Sequence, residues 1–325
     1  MGKRIGITTT IPHEIVIAAG HTPVDLNNAF LAHPNRGHLL ELAETEGFPS
    51  GVCAWIKGIY AAVRTGGADA VITVLTGDCS NTRALAEVLG HRGIEVIPFG
   101  FPSTPEPDDV RVALADLATR LGTSLAAAEE VRRSWKPLRE KLVELDRLAW
   151  AEGKVRSREL YDYLVSASDF AGDADTFERQ LTAFLQEATA RPAQREYVPL
   201  ALLGVPPIFD DLFEALEQRH ARIVFAEVPR QFAMPNDCAD LVEQFCRYTY
   251  PYDLRYRLAD LRTEISRRRV RGAINYLQAF CHRQIEDIVL RETLPVPVLA
   301  LEGDRPGPLG GQALTRLEAF LEMLR

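Results

Sequence analysis

The chain has 325 residues, a formal net charge of −8, 46% hydrophobic and 25% charged residues. That length supports two domains with cores of their own, and the acidic balance argues against a nucleic-acid or polyanion surface as the main business, since such proteins usually carry a basic excess. No apolar run approaches the roughly 18 residues of a membrane span, and MGKRIGITTT enters a strand-like segment without the apolar stretch of a signal peptide, so a cytoplasmic protein is expected. In a reducing compartment the five cysteines, Cys53, Cys79, Cys238, Cys246 and Cys281, are expected as buried packing or as metal or redox ligands rather than disulfides.

In chain order, residues 4–9 (RIGITT) read as a strand, 13–19 (HEIVIAA) as a helix stopped by Gly20, and 22–26 as a second short unit. Residues 27–38, rich in Asn, His, Pro and Gly, read as irregular, and 39–46 as a short helix. In GFPSGVCAWIKGIYAAV the first residues are loop chemistry. Ser50 or Gly51 is expected to cap the following helix, with Cys53 in its first turn. The run 71–75 is short, β-branched and closed by Thr76-Gly77, the signature of a buried strand; Cys79 falls in the turn before a helix starting near Asn81. Residues 95–99 give another strand, ending in FPSTPEPDD.

From 108 to about 191 the pattern is helical, broken at DFAGDAD, and its periodic apolar stripes read as packing or an interface rather than a site. Strand and helix then alternate again: strand 199–204, a proline turn, helix 208–217, strand 222–226 ending at Glu227-Val228-Pro229. Helices over 237–248 and 254–269 come next, then strand 272–278. Cys281 opens the helix-like HRQIEDIVLRE, and strand 297–302 and helix 312–324 close the chain. The basic run ISRRRVRG (265–272) reads as the solvated C-terminal end of a helix. The fold class is therefore α/β: two lobes with parallel sheets, 1–107 and 197–325, joined by a helical segment, 108–196. The lobes read as diverged repeats.

Cys53, Cys79 and Cys281 each lie where a loop meets a helix, two of them at strand ends, the place where open α/β sheets put ligands. A helix N-terminus favours a thiolate. Facing lobes would bring the three together in an interlobe cleft, where three thiolates on an iron–sulfur cluster leave one iron open. The residues alone leave alternatives standing: isolated cysteines as small buried hydrophobes, or zinc with His282 beside Cys281. Adjacent helical side chains point about 100° apart, which makes that last pairing awkward. Cys238 and Cys246, eight positions apart, read as core positions of one helix and as reserve ligands.

The segments GFPSGVCAWIKGIYAA, TGDCSNTRALAEVL, RGAINYLQAFCHRQIEDIVL and VPVLALEGDRPG with TRLEAFLEML resemble the 2-hydroxyacyl-CoA dehydratase (2-hydroxyglutaryl-CoA dehydratase D-component) family. That family includes benzoyl-CoA reductase subunits and double-cubane cluster proteins. The resemblance runs from IPHEIVIAAG to the C-terminal helix in the same order. It implies two Rossmann-like lobes and a [4Fe-4S] cluster on Cys53, Cys79 and Cys281. It further implies an ATP-driven iron–sulfur activator that delivers one low-potential electron, so that an acyl-CoA thioester carbonyl becomes a ketyl radical anion and loses water. Homodimers or pairs of related subunits are the implied assembly.

The candidate groups beside the ligands are Ser80, Asn81, His282 and Gln284, with N-capping or surface solvation as their plain alternatives. Glu14 and His21, in loops of the first lobe, are further candidates. The double-cubane variant, an [8Fe-9S] cluster reducing small molecules, requires Cys238 and Cys246 to join. A non-catalytic electron-relay or structural subunit, and a cluster-free two-lobe binder, are the competing functions. The acyl-CoA substrate rests on the resemblance, because no CoA-phosphate signature stands out.

Overall fold

Short β-branched runs separated by helical stretches fold here into two four-stranded sheets, every neighbouring pair of strands parallel. The computed structural model describes residues 2–325. The first sheet and its helices are β1 (Arg4–Ile7), α1 (His13–Ala18), β2 (Thr22–Asp25), α2 (Leu26–Ala32), α3 (Arg36–Thr45), α4 (Ala54–Arg64), β3 (Ala70–Val74), α5 (Ser80–His91) and β4 (Glu95–Phe99). The helical run contains α6 (Pro107–Arg120), α7 (Leu125–Ser134), α8 (Lys136–Trp150), α9 (Ser157–Ser166), a short 3-10 turn at Phe170–Gly172 and α10 (Ala174–Ala190). The second sheet brings β5 (Val198–Gly204), α11 (Leu212–Glu217), β6 (Ala221–Ala226), α12 (Glu227–Phe232), α13 (Leu241–Arg247) and α14 (Leu254–Arg267). It closes with β7 (Gly272–Gln278), a 3-10 turn at His282–Glu286, α15 (Asp287–Thr293), β8 (Val298–Gly303) and α16 (Gly311–Leu324).

The strand orders are β2-β1-β3-β4 and β6-β5-β7-β8, the same permutation twice. The two sheets are thus Rossmann-like lobes, and the repeat suggested by two strand-end cysteines is a repeat of topology. In β3 all five residues are buried, as expected of an inner parallel strand covered on both faces. Burying Val71, Ile72 and Val74 completely contributes on the order of 1.5–3 kcal/mol each. The edge strands β2 and β4 carry Pro23 and Pro98, tolerated because an edge position leaves an N–H without a ladder partner to lose.

The chain divides into two compact units. One comprises Met1–Arg139, Ser166–Phe177 and Asn236–Asp253; the other comprises Glu140–Val165, Glu178–Pro235 and Leu254–Arg325. The helical run thus contributes to both. In the second unit Ala201, Leu203, Val224, Phe225, Leu261 and Ile265 belong to one buried apolar cluster, with Trp150 packed against it.

Four local readings are corrected. Residues 27–38 are largely helical, as α2 and the start of α3, because Asp25 and Asn35 are N-caps: their carboxylate and amide oxygens accept from Asn27 N and His38 N, the polar composition serving the caps. Residues 227–229 open α12, with Pro229 in its first turn, where a missing N–H costs nothing. α13 starts only at Leu241, capped by Asp240, so Cys238 precedes it. Finally, within the basic run, Arg268 is 3% exposed and forms ion pairs with Asp146 and Glu264, while its neighbour Arg267 is half-exposed.

Candidate functional site

In each sheet the chain leaves the first strand to one side and returns to the other, so the order reverses between β1 and β3, and again between β5 and β7. Open α/β sheets bind ligands at the carboxyl ends of strands flanking such a switch. The loops that follow β3 and β7 carry Cys79 and Cys281. The two cysteines therefore occupy equivalent places in the two lobes, one in each compact unit.

Cys79 is set by a turn that needs glycine. Gly77 has φ +86°, and a Cβ there would come within 2.9 Å of both Phe101 and Pro251. Cys79 then adopts the extended backbone of an N-cap at α5, and its Sγ accepts from Asn81 N at 3.4 Å. Thr82 N donates to the Cys79 carbonyl at 3.0 Å, and Thr82 Oγ1 donates to Asp78 Oδ2 at 3.1 Å. Cys53 is likewise the N-cap residue of α4, which corrects the expected cap at Ser50 or Gly51: the cap is the cysteine itself. Its loop is tied down by Lys57, 2% exposed, whose Nζ donates to Glu44 Oε1 at 2.7 Å and to the Ser50 carbonyl at 3.1 Å. Cys281 is the N-cap of the 3-10 turn His282–Glu286. Three cysteines thus share one backbone role, each at the positive end of a helical segment, where a thiolate is favoured.

Over residues 8–324 the chain matches the family model for the 2-hydroxyglutaryl-CoA dehydratase, D-component. The chain belongs to that family. Comparison with curated proteins gives no match. Membership makes the chain a 2-hydroxyacyl-CoA dehydratase-type subunit, from a family of lyase components. No helix among the described residues is long and apolar enough to cross a membrane.

The remaining two cysteines have a different setting. Cys238 lies before the cap of α13, its carbonyl accepts from Arg132 Nη1 at 3.3 Å, and burial, with Glu243 nearby, pushes its thiol up to about 11. Cys246 sits in the last turn of α13, the negative end of the helix dipole. Burial, then Asp240 and Glu243, raise its thiol as well. No disulfide joins any of the five. Among the described residues no cluster of three or more His, Cys, Asp and Glu side chains is assembled as a metal site. What sets Cys53, Cys79 and Cys281 apart from the other two is their common N-cap setting; the cysteine thiolate is the donor type of iron–sulfur clusters.

Of the other residues singled out in the sequence, Ser80 is the exposed first residue of α5, and Asn81 acts through its backbone N–H on Cys79. Gln284 commits its side-chain amide to the Gln278 carbonyl. His282 is lowered from its ordinary pKa by burial and by Arg283. His21 precedes β2, and its Nδ1 accepts from Lys3 N just before β1. In a parallel sheet that is the amino edge, opposite the strand ends carrying the cysteines. Glu14 is fully buried, accepting from Arg139 Nη2 at 2.5 Å and Gln244 Nε2 at 2.8 Å. Burial pushes its carboxyl up, but Arg139 and these bonds bring it below the usual carboxylate range overall. Nothing in the sequence announces this network, because its partners are 125 and 230 residues away.

Two more buried groups of the same unit titrate in opposite senses. His13, packed between the rings of Trp135 and Phe170 at 5.0 and 5.2 Å, has its pKa lowered to about 4, chiefly by burial. The native ring is neutral while the unfolded ring takes a proton below about 6.5, so this contribution is present above pH 6.5. It is lost as pH falls towards 4, by about 1.4 kcal/mol per pH unit. The Asp25–Asp169 pair behaves inversely. Asp169 accepts from Asp25 N at 2.7 Å and Ser168 donates to Asp25 at 2.5 Å, and burial, then the charge of Asp25, raise Asp169. A raised carboxyl keeps its proton in the native state and lowers stability as pH climbs above the ordinary aspartate range. The two slopes oppose one another between about pH 4 and 6.5. In urea titrations, His13→Leu is expected to cost less, relative to wild type, at pH 5 than at pH 7, and Asp169→Asn to cost more. A pH-independent difference for either variant would refute its assignment.

Proposed function

We propose that this chain is the iron–sulfur subunit of a 2-hydroxyacyl-CoA dehydratase or benzoyl-CoA reductase-like enzyme, with Cys53, Cys79 and Cys281 as the ligands of a [4Fe-4S] cluster. What carries this reading is that three of five cysteines, and no others, are N-cap residues, two of them at equivalent switch points, in a chain of the D-component family. Bound there, such a cluster supplies a one-electron donor and, through an iron without a protein ligand, a Lewis acid for a thioester carbonyl oxygen. The chain's own part is electrostatic: the free N–H groups of three helical starts offset the negative charge of the sulfurs. Asn81 N already donates to Cys79 Sγ. His282 offers an imidazole next to the ligand Cys281. Gln284, bonded to the end of β7, fixes the turn, and Ser80 offers a hydroxyl at the start of α5.

The substrate class is an acyl-CoA, the electron source an ATP-dependent iron–sulfur activator, and the assembly a homodimer or a pair with a related subunit in the cytoplasm. A double-cubane [8Fe-9S] reductase of small molecules is the second reading. Cys238, ahead of the cap of α13, and Cys246, in its last turn, lack the N-cap setting of the other three, which favours the smaller cluster. Iron and acid-labile sulfide assays with EPR on anaerobically isolated protein test the cluster, with about four irons per chain expected. Iron-free protein after strict anaerobic reconstitution would overturn the reading. Turnover of 2-hydroxyacyl-CoAs with an ATP-driven reductant separates a catalytic subunit from an electron relay.

A further inference from the structure

The turn that presents Cys281 is strained and must be held. Phe280, immediately before it, has φ +64°, a left-handed conformation that a non-glycine residue keeps only where its surroundings dictate it. Cys281 N donates to the Gln278 carbonyl at 3.1 Å and Gln284 N to the Cys281 carbonyl at 3.2 Å. These bonds, with Ala279 N donating to the Gly303 carbonyl at 2.8 Å, tie the start of the turn to the ends of β7 and β8.

The far end of the turn is tied to α14 and to the end of β5 through Arg257 of α14, only 2% exposed and among the largest fully buried side chains. Its Nε and Nη2 donate to the two oxygens of Glu227 at 2.7 and 3.1 Å, and its Nη1 donates to Glu286. Glu227 opens α12 directly after β6 and its Oε2 accepts from Gly204 N, at the end of β5, at 3.1 Å. Glu286 is the last residue of the 3-10 turn that Cys281 caps, and Arg283 also donates to it, at 3.2 Å. One planar guanidinium therefore spans the end of β5 and the turn after β7, the two sides of the switch point. Arg257, Cys281, Gly204 and Glu286 line the same small pocket. The fork geometry is specific to arginine: lysine carries the charge but cannot bond two carboxylates in fixed directions.

We propose that Arg257 is the positioning residue for Cys281, holding its turn in the ligating conformation through Glu286 while Glu227 anchors the guanidinium to the sheet. As a statement about a ligand this rests on the proposed function; as a statement about the turn it does not. The test is hydrogen–deuterium exchange of the cluster-free protein, with Arg257→Lys and the charge-balanced double variant Arg257→Met/Glu227→Gln. Exchange over residues 279–286 is expected to rise by about tenfold or more in both, with residues 77–82 around Cys79 unchanged as the internal control. In reconstituted protein the same variants are expected to release iron to a chelator about tenfold faster than wild type. Unchanged exchange over 279–286 overturns the proposal whatever the iron content. Faster exchange everywhere also overturns it, since that marks general destabilisation. An iron-free wild type with the local exchange effect intact would refute the cluster reading and leave the role of Arg257 standing. Glu286→Ala, which removes the acceptor that joins the turn to the guanidinium and leaves Glu227 paired, is expected to reproduce the local effect.

Discussion

Cys53→Ser, Cys79→Ser and Cys281→Ser are each expected to leave reconstituted protein with less than about a tenth of the wild-type iron, while Cys238→Ala and Cys246→Ala retain it. Serine is the informative replacement because it separates two jobs that the cysteines combine. As an N-cap, serine is among the best residues, so α4, α5 and the turn after Cys281 keep their starts and thermal stability stays near wild type. As a ligand, its hydroxyl lacks both the softness and the accessible anion of a thiolate. Loss of iron with an unchanged melting temperature therefore isolates ligation. Retained iron in any of the three serine variants would remove that residue from the set. Iron loss in Cys238→Ala would point to the larger cluster.

Arg268→Met is expected to destabilise the protein by about 3–5 kcal/mol, the usual cost of leaving buried charges unpaired. The guanidinium donates to Asp146 Oδ1 and Oδ2 at 2.6 and 2.5 Å, to Glu264 Oε2 at 2.7 Å and to the Val224 carbonyl at 2.7 Å, and lies 5.0 Å from the ring of Phe225. Methionine fills much of the volume but satisfies none of those acceptors. Asp146, 7% exposed, would be left as a carboxylate away from water. The double variant Arg268→Met/Asp146→Leu is expected to recover a large part of the loss, because an apolar pair of similar size often replaces a buried ion pair at little cost. Urea unfolding midpoints of wild type, the single and the double variants measure this. A single variant within about 1 kcal/mol of wild type would place Arg268 among surface residues, as its basic neighbourhood in the sequence suggests.

Strands were the most legible elements: 95–99 and 272–278 coincide with β4 and β7, and 71–75 is within one residue of β3, because buried parallel strands are short β-branched runs closed by turn residues. Cys79 and Cys281 stood out for the same reason, each following such a run. Caps were harder. Asp25 fell within the short unit 22–26 and Asn35 within an irregular stretch although each caps a helix, and Cys53, an unusual N-cap, was displaced by the more familiar Ser50 or Gly51. Least legible were the buried charges. Arg139, in α8, and Arg268, just past the end of α14 in a basic run, have partners, Glu14 and Asp146, that lie 125 and 122 residues away, beyond the reach of any local pattern.

The interleaved make-up of the first unit governs when it can fold. Its sheet is complete by Phe99, yet Ser168 and Asp169, which bond Asp25, arrive with the segment Ser166–Phe177, and Gln244, which bonds Glu14, arrives with Asn236–Asp253. At synthesis rates of about 5–20 residues per second, the nascent chain spends roughly ten seconds between Arg139 and Asp253 with its first sheet made and its last segment missing. A fragment ending at Arg139 would lack the same partners permanently, with Glu14 and Asp25 awaiting bonds that only later sequence supplies. The apolar strands β1 and β3 thus leave the ribosome well before the segments that complete their unit are made, so the early chain is expected to expose apolar surface until the second half follows.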